Sequence, residues 1–498
     1  MNIIHRLRFV ADSNADKIAV ASVDGELSYE ELYDQTDRYA RALKEYGVKE
    51  GDRFSLVMEN SNRMLTLLLA GWQIGAVPAP INIRLKDEDI TELVEDAGSS
   101  LVIADQKYQN KINESDLKDK AALHWSSSDK TGFESVFPEE VRNRTVSPRG
   151  DQDDAIFLHT AGTTGRPKWV RISHGNLAAS MGAMIGANLG VNDVGLHYYP
   201  LYHSGGIDMT LCRLLIGATT IVGSGWDPSD ALSKIEEYSV DGITVVPQMG
   251  YELVHQNEIN KYDLSSLSYF LVGSDTVTEE LADKFLSLGA QPMQAYGLTE
   301  TMAVIAVTKF GDIDCPLDST GKVIEDIAKV RIVDPETGQE VDSGEIGEIL
   351  ISGDKLAHGY HNRPDKEREV YEDGWLHTED LGTVDEDGYL YITGRLDNMM
   401  IVGGENVYPT DVEETLVQHP AISQAVVIAI PDERKGEIPV ANVVLRDGED
   451  LTEKELQQWF ISQDAAFKHP RVVRFLNELP KTALGKINRS QLQQELTE

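Results

Sequence analysis

Short apolar runs recur through the chain: "RFSLVME", "SSLVIAD", "TTIVGSG", "DGITVVPQ" and "LSYFLVGSD". Each is about the length of a strand and is apolar on both faces, with helical patterns between the runs. A strand buried on both faces needs cover above and below, which crossover helices supply. The alternation therefore predicts an α/β fold with mainly parallel sheets. One intervening stretch, "LSYEELYDQTDRYARALKEYG", predicts a helix in detail. Ser28 and Glu31 fit a capping box, and Leu27 and Leu32 a hydrophobic staple. Leu32, Tyr39, Leu43 and Tyr46 share a face, and Gly47 fits the stop.

A chain of 498 residues exceeds one ordinary core, so at least two domains are expected. The stretch from Gln106 to Asp154 is polar and weakly patterned, and reads as a surface excursion. From Ile327 onward, "AKVRIVDPETGQEVDSGEIGEILIS" reads as strand, turn, strand, with Glu336-Thr337-Gly338 at the turn. Beyond "TGRLDNMMIVGGENVYP" helices and strands alternate in a compact α+β unit, where Thr452 and Glu455 form another capping box. The expected architecture is a large multi-layer N-terminal domain (1–394) with mainly parallel sheets plus a β-rich subdomain. A hinge (395–399) and a small mobile α+β C-terminal domain (400–498) follow.

Charge excludes some partners. The chain has 83 acidic and 45 basic residues, for a formal net charge of −38. Such a surface repels nucleic acid and anionic membranes. It serves solubility, or adaptation to high salt, where repulsion between carboxylates is screened. No window is long and apolar enough for a membrane span. The N-terminus, broken by His5, Arg6 and Arg8, is not a secretory signal. Two cysteines, Cys212 and Cys315, form neither a disulfide framework nor a zinc spacing, and they predict a reducing, cytoplasmic setting.

The most informative stretch is "LHTAGTTGRPKWVRISHGN" (Leu158–Asn176). Glycines let backbone N–H groups approach an anion, threonine hydroxyls add compact donors, and Lys168 adds charge. This is phosphate-binding chemistry without a Walker A motif, since Trp169 follows the lysine where Ser or Thr would stand.

"TAGTTGRPK" resembles the signature of the adenylate-forming superfamily: acyl- and aryl-CoA synthetases, peptide-synthetase adenylation domains and luciferases. Five further motifs follow in that family's order. "LYHSGG" (Leu201–Gly206) is similar to its histidine motif and "QAYGLTET" (Gln294–Thr301) to its YGxTE motif. "DGWLHTEDLG" (Asp373–Gly382) resembles its ribose motif and "TGRLDNMMIVGGENVYPTDVE" (Thr393–Glu413) its hinge. "LPKTALGKINR" (Leu479–Arg489) resembles its C-terminal lysine motif.

The resemblance implies a magnesium-dependent ligase of fatty acid or aromatic acid metabolism. A carboxylic acid attacks the α-phosphorus of ATP, giving acyl-AMP and pyrophosphate, and coenzyme A then takes the acyl group. Thr160, Gly162, Thr163, Thr164, Gly165 and Lys168 inherit the β- and γ-phosphates. Thr299 inherits the α-phosphate, Glu300 the Mg²⁺ and Tyr296 the adenine. Asp380 inherits the ribose, Arg395 the ribose or phosphate, and His203 the edge of the carboxylate pocket. Lys486 inherits the developing charge of adenylation. Asp397 inherits the pivot, and Gly403 and Gly404 the thiol tunnel. Between Lys468 and Arg489 the chain has six basic residues and one acidic residue, a charge that suits polyphosphate.

Four features depart from the pattern: Ala161, Trp169, Glu379 (where glycine is usual) and "GSDTV" (Gly273–Val277). Two alternatives stay open: a stand-alone adenylation enzyme loading a separate carrier protein, and a nucleotide-binding pseudoenzyme. The expected partners are a small carboxylic acid, ATP and CoA, with no nucleic acid and no membrane span, in a monomer or homodimer.

Overall fold

The computed structural model describes residues 1–108, 112, 122–126, 133, 135, 145–160, 167–273, 277–398, 400–402, 405–432, 435–446, 448–464, 468–481 and 487–497. The chain divides into two compact units. The first is Met1–Val330 with Ile351–Leu376, and the second is Arg331–Leu350 with His377–Glu498.

The first unit is built on a nine-stranded sheet. At its centre run the strands Tyr269–Gly273, Gly242–Val245, Val194–His197, Thr219–Val222 and Ile18–Ser22, all parallel. Antiparallel strands close both edges. A second sheet of four parallel strands contains Arg53–Val57 and Leu101–Asp105. The short apolar runs are thus strands, as expected. The stretch read as a surface excursion differs in one respect. Its residues Ala122–Ser126 form an edge strand of the four-stranded sheet. Five residues that pair on one side only leave little trace in a polarity pattern.

The helix Tyr29–Glu45 carries the expected capping box, formed by Ser28 and Glu31. Gly47 follows its end with φ +87°. Thr452 and Glu455 cap the helix Glu453–Gln463 in the same way.

In the second unit residues 380–384 pair antiparallel with the strand Leu390–Arg395. Asp334 accepts from the backbone of Glu336 and Thr337, which closes the expected turn. A five-stranded sheet containing Ile422–Asp432 and Gly436–Leu445 forms the C-terminal part. Residues 331–350 and 377–394, expected within the N-terminal domain, group with the C-terminal residues. Hairpin pairing between neighbouring strands makes their contacts local. No described helix is long and apolar enough to cross a membrane.

Candidate active site

In the first unit the strands Asp154–Thr160 and Lys168–Ser173 form a two-stranded antiparallel ribbon, with Thr160 directly opposite Lys168. The ribbon anchors both ends of the threonine-glycine stretch. Thr160 Oγ1 is buried and has no hydrogen-bond partner among the described residues. A buried hydroxyl without a partner is costly, so it suits a ligand oxygen. Residues 161–166, including Ala161, Gly162, Thr163, Thr164 and Gly165, lie outside the described residues.

Segment 358–361 runs beside the second strand of this ribbon. Arg171 N donates to Gly359 O, His361 N donates to Trp169 O, and Val170 sits opposite Tyr360. This pairing brings the Tyr360 ring under Lys168, whose Nζ is 4.0 Å from the ring centroid, a cation–π distance. Tyr360 Oη also donates to Glu300 Oε1 at 2.7 Å. Lys168 Nζ lies 3.9 Å from the same oxygen. Lys168 and Glu300, assigned to adjacent tasks from separate motifs, thus meet through Tyr360.

Glu300 sits on the turn Thr299–Thr301, which follows the strand Gln291–Leu298. Tyr296 lies on that strand. Gly297 allows the turn to close: a Cβ there would lie 1.6 Å from Ala303 O. Met302 and Ala303 both have positive φ, +46° and +62°, which side chains disfavour. Thr301 Oγ1 braces the turn, accepting from Leu298 N, with its single O–H within reach of the carbonyls of Leu298 and Ala303.

The histidine motif reaches the same turn. Ser204 Oγ lies 3.5 Å from Thr299 Oγ1. His203 stands at the N-cap position of the helix Ser204–Leu214. Its ring is 4.9 Å from that of Tyr202 and 6.3 Å from that of His159. Gly206 lets this helix start close against the chain, because a Cβ there would meet Pro200 O at 2.1 Å. His159 Nε2 accepts from Asn82 N at 3.0 Å. Burial pushes its pKa down to about 4, so the ring is neutral near pH 7.

In the second unit Asp380 stands opposite Arg395 across the hairpin. Arg395 Nη1 donates to Asp380 Oδ1 at 3.1 Å, and Nη2 to Glu379 Oε2 at 3.2 Å. The backbone N–H of Asp380 is held by Thr378 Oγ1. The two residues assigned to the ribose are therefore neighbours. Asp397 lies in the short turn Leu396–Asn398. Gly403, Gly404 and Lys486 lie outside the described residues.

The AMP-binding enzyme family matches residues 7–361, and the AMP-binding enzyme C-terminal domain matches residues 411–486. The chain belongs to the AMP-binding enzyme family. Within this adenylate-forming superfamily it falls among the acyl- and aryl-CoA synthetases. A feruloyl-CoA synthase from Amycolatopsis is 34% identical over 93% of this chain and 92% of its own. A 2-succinylbenzoate–CoA ligase from Bacillus cereus is 29% identical over 97% and 96%. The crystal structure of ATP-bound MatB from Rhodopseudomonas palustris superposes with a TM-score of 0.92 at 28% identity. It covers 100% of this chain and 99% of that one.

Trp169 has a local cause for its departure from the family pattern, whereas Glu379 is strained. Trp169 is fully buried among Leu93, Val94 and Phe157, and its Nε1 donates to Leu93 O at 3.2 Å. It is a core residue on the strand behind the phosphate stretch. Glu379 has φ +61°, the conformation that glycine tolerates best. A side chain in that conformation costs roughly 1–2 kcal/mol. The ion pair with Arg395 is about one-third exposed on each side and returns little. Glu379→Gly should therefore melt higher than Glu379→Ala, which loses the carboxylate but keeps the strain. Paired thermal melts check this, and an alanine variant at least as stable as the glycine variant would refute it.

The basic C-terminal segment is corrected. Lys468 pairs with Asp411 and Asp464, Arg474 with Glu495, and Arg489 with Glu413. Half of its basic residues thus neutralise acidic neighbours in the second unit. Sequence reading also missed Tyr360, whose signal was its position beside a glycine in "HGYHN".

Proposed function

We propose that the chain is an AMP-forming acid–CoA ligase acting on an aromatic monocarboxylate, with fatty acids as the second class. It activates the acid with ATP to an acyl-AMP, then passes the acyl group to CoA, releasing AMP and pyrophosphate. The observation that carries this reading is the convergence of Lys168, Glu300 and Tyr360 at the ribbon bearing Thr160. Two anions must meet for adenylation, so donors and a cation are needed where charge gathers. Thr160 and Lys168, with Gly162, Thr163, Thr164 and Gly165, would take the β- and γ-phosphates. Thr299 would take the α-phosphate, and Tyr296 would pack on the adenine.

Glu300 suits a Mg²⁺ ion. Its carboxylate contacts with Tyr360 and Lys168 both fall on Oε1, which suits Oε2 to a hard cation that binds few protein carboxylates beside phosphates. When bound, the ion would screen phosphate charge. Asp380 accepts hydrogen bonds from vicinal hydroxyls well, and with Arg395 it would hold the ribose. His203, beside two aromatic rings, would border the acid. The aryl preference is supported by relatives named for feruloyl and succinylbenzoyl substrates.

A panel of carboxylic acids, scored for pyrophosphate with and without CoA, tests this reading. With CoA present, aryl acids should give thioester, AMP and pyrophosphate in equal amounts; without CoA they should give acyl-AMP and pyrophosphate and no thioester. Release of ADP and phosphate, or no turnover of any aromatic or fatty acid, would sink it.

The net charge of −38 is read as adaptation to high salt. At molar salt the screening length falls to about 3 Å, which relieves repulsion between surface carboxylates. The melting temperature should rise as KCl climbs to molar levels. A flat or falling series contradicts this reading.

A further inference from the structure

We propose that the buried Asp208–Lys355 ion pair is a positioning device for the Thr299–Glu300 turn during adenylation. The proposal rests on the reading of that turn given above.

Lys355 Nζ donates to Asp208 Oδ1 at 2.8 Å, and the two residues are 1% and 0% exposed. Removing two charges from water is expensive, and a buried pair often stabilises no better than apolar residues of the same size. What this pair connects is more telling. Asp208 Oδ2 accepts from Val304 N at 3.2 Å, just beyond the two positive-φ residues that end the turn. Ser204 lies one helical turn before Asp208, on the same face, and touches Thr299. One face of the helix Ser204–Leu214 therefore grips both ends of the turn.

Lys355 holds the opposite side. Two residues beyond it, Ala357 N donates to Glu300 O at 2.8 Å. Asn176 fixes the same segment by donating to the carbonyls of Asp354 and Leu356. The ion pair thus ties the helix that touches Thr299 to the segment that holds the backbone of Glu300. Neither charged group is exposed. Their effect passes through where the turn sits.

The test uses two full-length variants, Lys355→Met and the double variant Asp208→Asn/Lys355→Met, with Glu300→Gln as a control. Both half-reactions are measured, with the acid that scores highest in the panel. A misplacement of about 1 Å can cost on the order of 100-fold in rate. In Lys355→Met, kcat for acyl-AMP formation should fall about 10- to 100-fold, with KM for ATP within about threefold. Thioester formation from supplied acyl-AMP, which meets no pyrophosphate, should change far less. The double variant replaces the pair with neutral groups and keeps an acceptor for Val304 N. It should fold with near-native melting and still adenylate slowly.

Unchanged adenylation in either folded variant overturns the proposal. So does a parallel loss of both half-reactions in both variants, because the pair would then serve folding alone. If Glu300→Gln adenylates normally, the reading of Glu300 itself has failed, whatever the Lys355 variants do.

Discussion

Lys486→Ala should lose roughly 10²- to 10³-fold in acyl-AMP formation, the usual effect of removing a preorganised electrostatic partner of a transition state. Thioester formation from supplied acyl-AMP should survive far better. During adenylation negative charge moves from the attacking carboxylate to the α-phosphate and pyrophosphate. A lysine bridging the two oxygens would stabilise that movement at no cost in reorganisation. The thiol step has no such charge transfer. If, as proposed, both steps use one acyl and nucleotide site, the lysine and the thiol path would alternate there. A pivot at Asp397 would accommodate this alternation, because a few loop residues can absorb a large backbone rotation. Single-turnover assays of each half-reaction decide the matter. Equal losses in both would show a folding defect, or a lysine used throughout.

Trp169→Ala should destabilise the protein by about 3–5 kcal/mol, the range for emptying a large buried aromatic site. The indole is completely buried, with His159 edge-on at 5.4 Å and Phe157 at 6.4 Å between ring centroids. Its removal leaves a cavity between the ribbon and the helix Asp87–Ala97, and leaves Leu93 O without its indole donor. Urea titration should show the loss as a lower midpoint. ATP-dependent activity under conditions where the variant is folded should fall much less. An unchanged midpoint with abolished adenylation would mean that the indole acts on the ligand instead.

Much of the candidate site's local geometry was legible because its motifs are local. "YGLTE" encodes a glycine that lets its own turn close, and "DGWLHTEDLG" places Asp380 where hairpin register delivers Arg395. The capping boxes at Ser28 and Thr452 depend on residues three apart and were readable for the same reason. The edge strand Ala122–Ser126 was not legible, because it is five residues long, pairs on one side only and lies within a polar stretch. The basic charge near the C-terminus was misread, because composition does not show that Lys468, Arg474 and Arg489 face acidic partners.

The sequence by itself determined the α/β alternation, the phosphate-binding character of the threonine-glycine stretch and the order of the six motifs that carries the family resemblance. The first two follow from backbone periodicity and side-chain type over a few residues. Only the tertiary structure decided that Tyr360 joins Lys168 to Glu300, that Trp169 is core, and that Asp208 meets Lys355. Tyr360 and Glu300 are 60 residues apart in the chain, and Asp208 and Lys355 are 147 apart. Such pairs form only when packed sheets and helices bring distant segments together. No local pattern records them, because the free energy that selects each partner comes from burial that does not exist until the fold is complete.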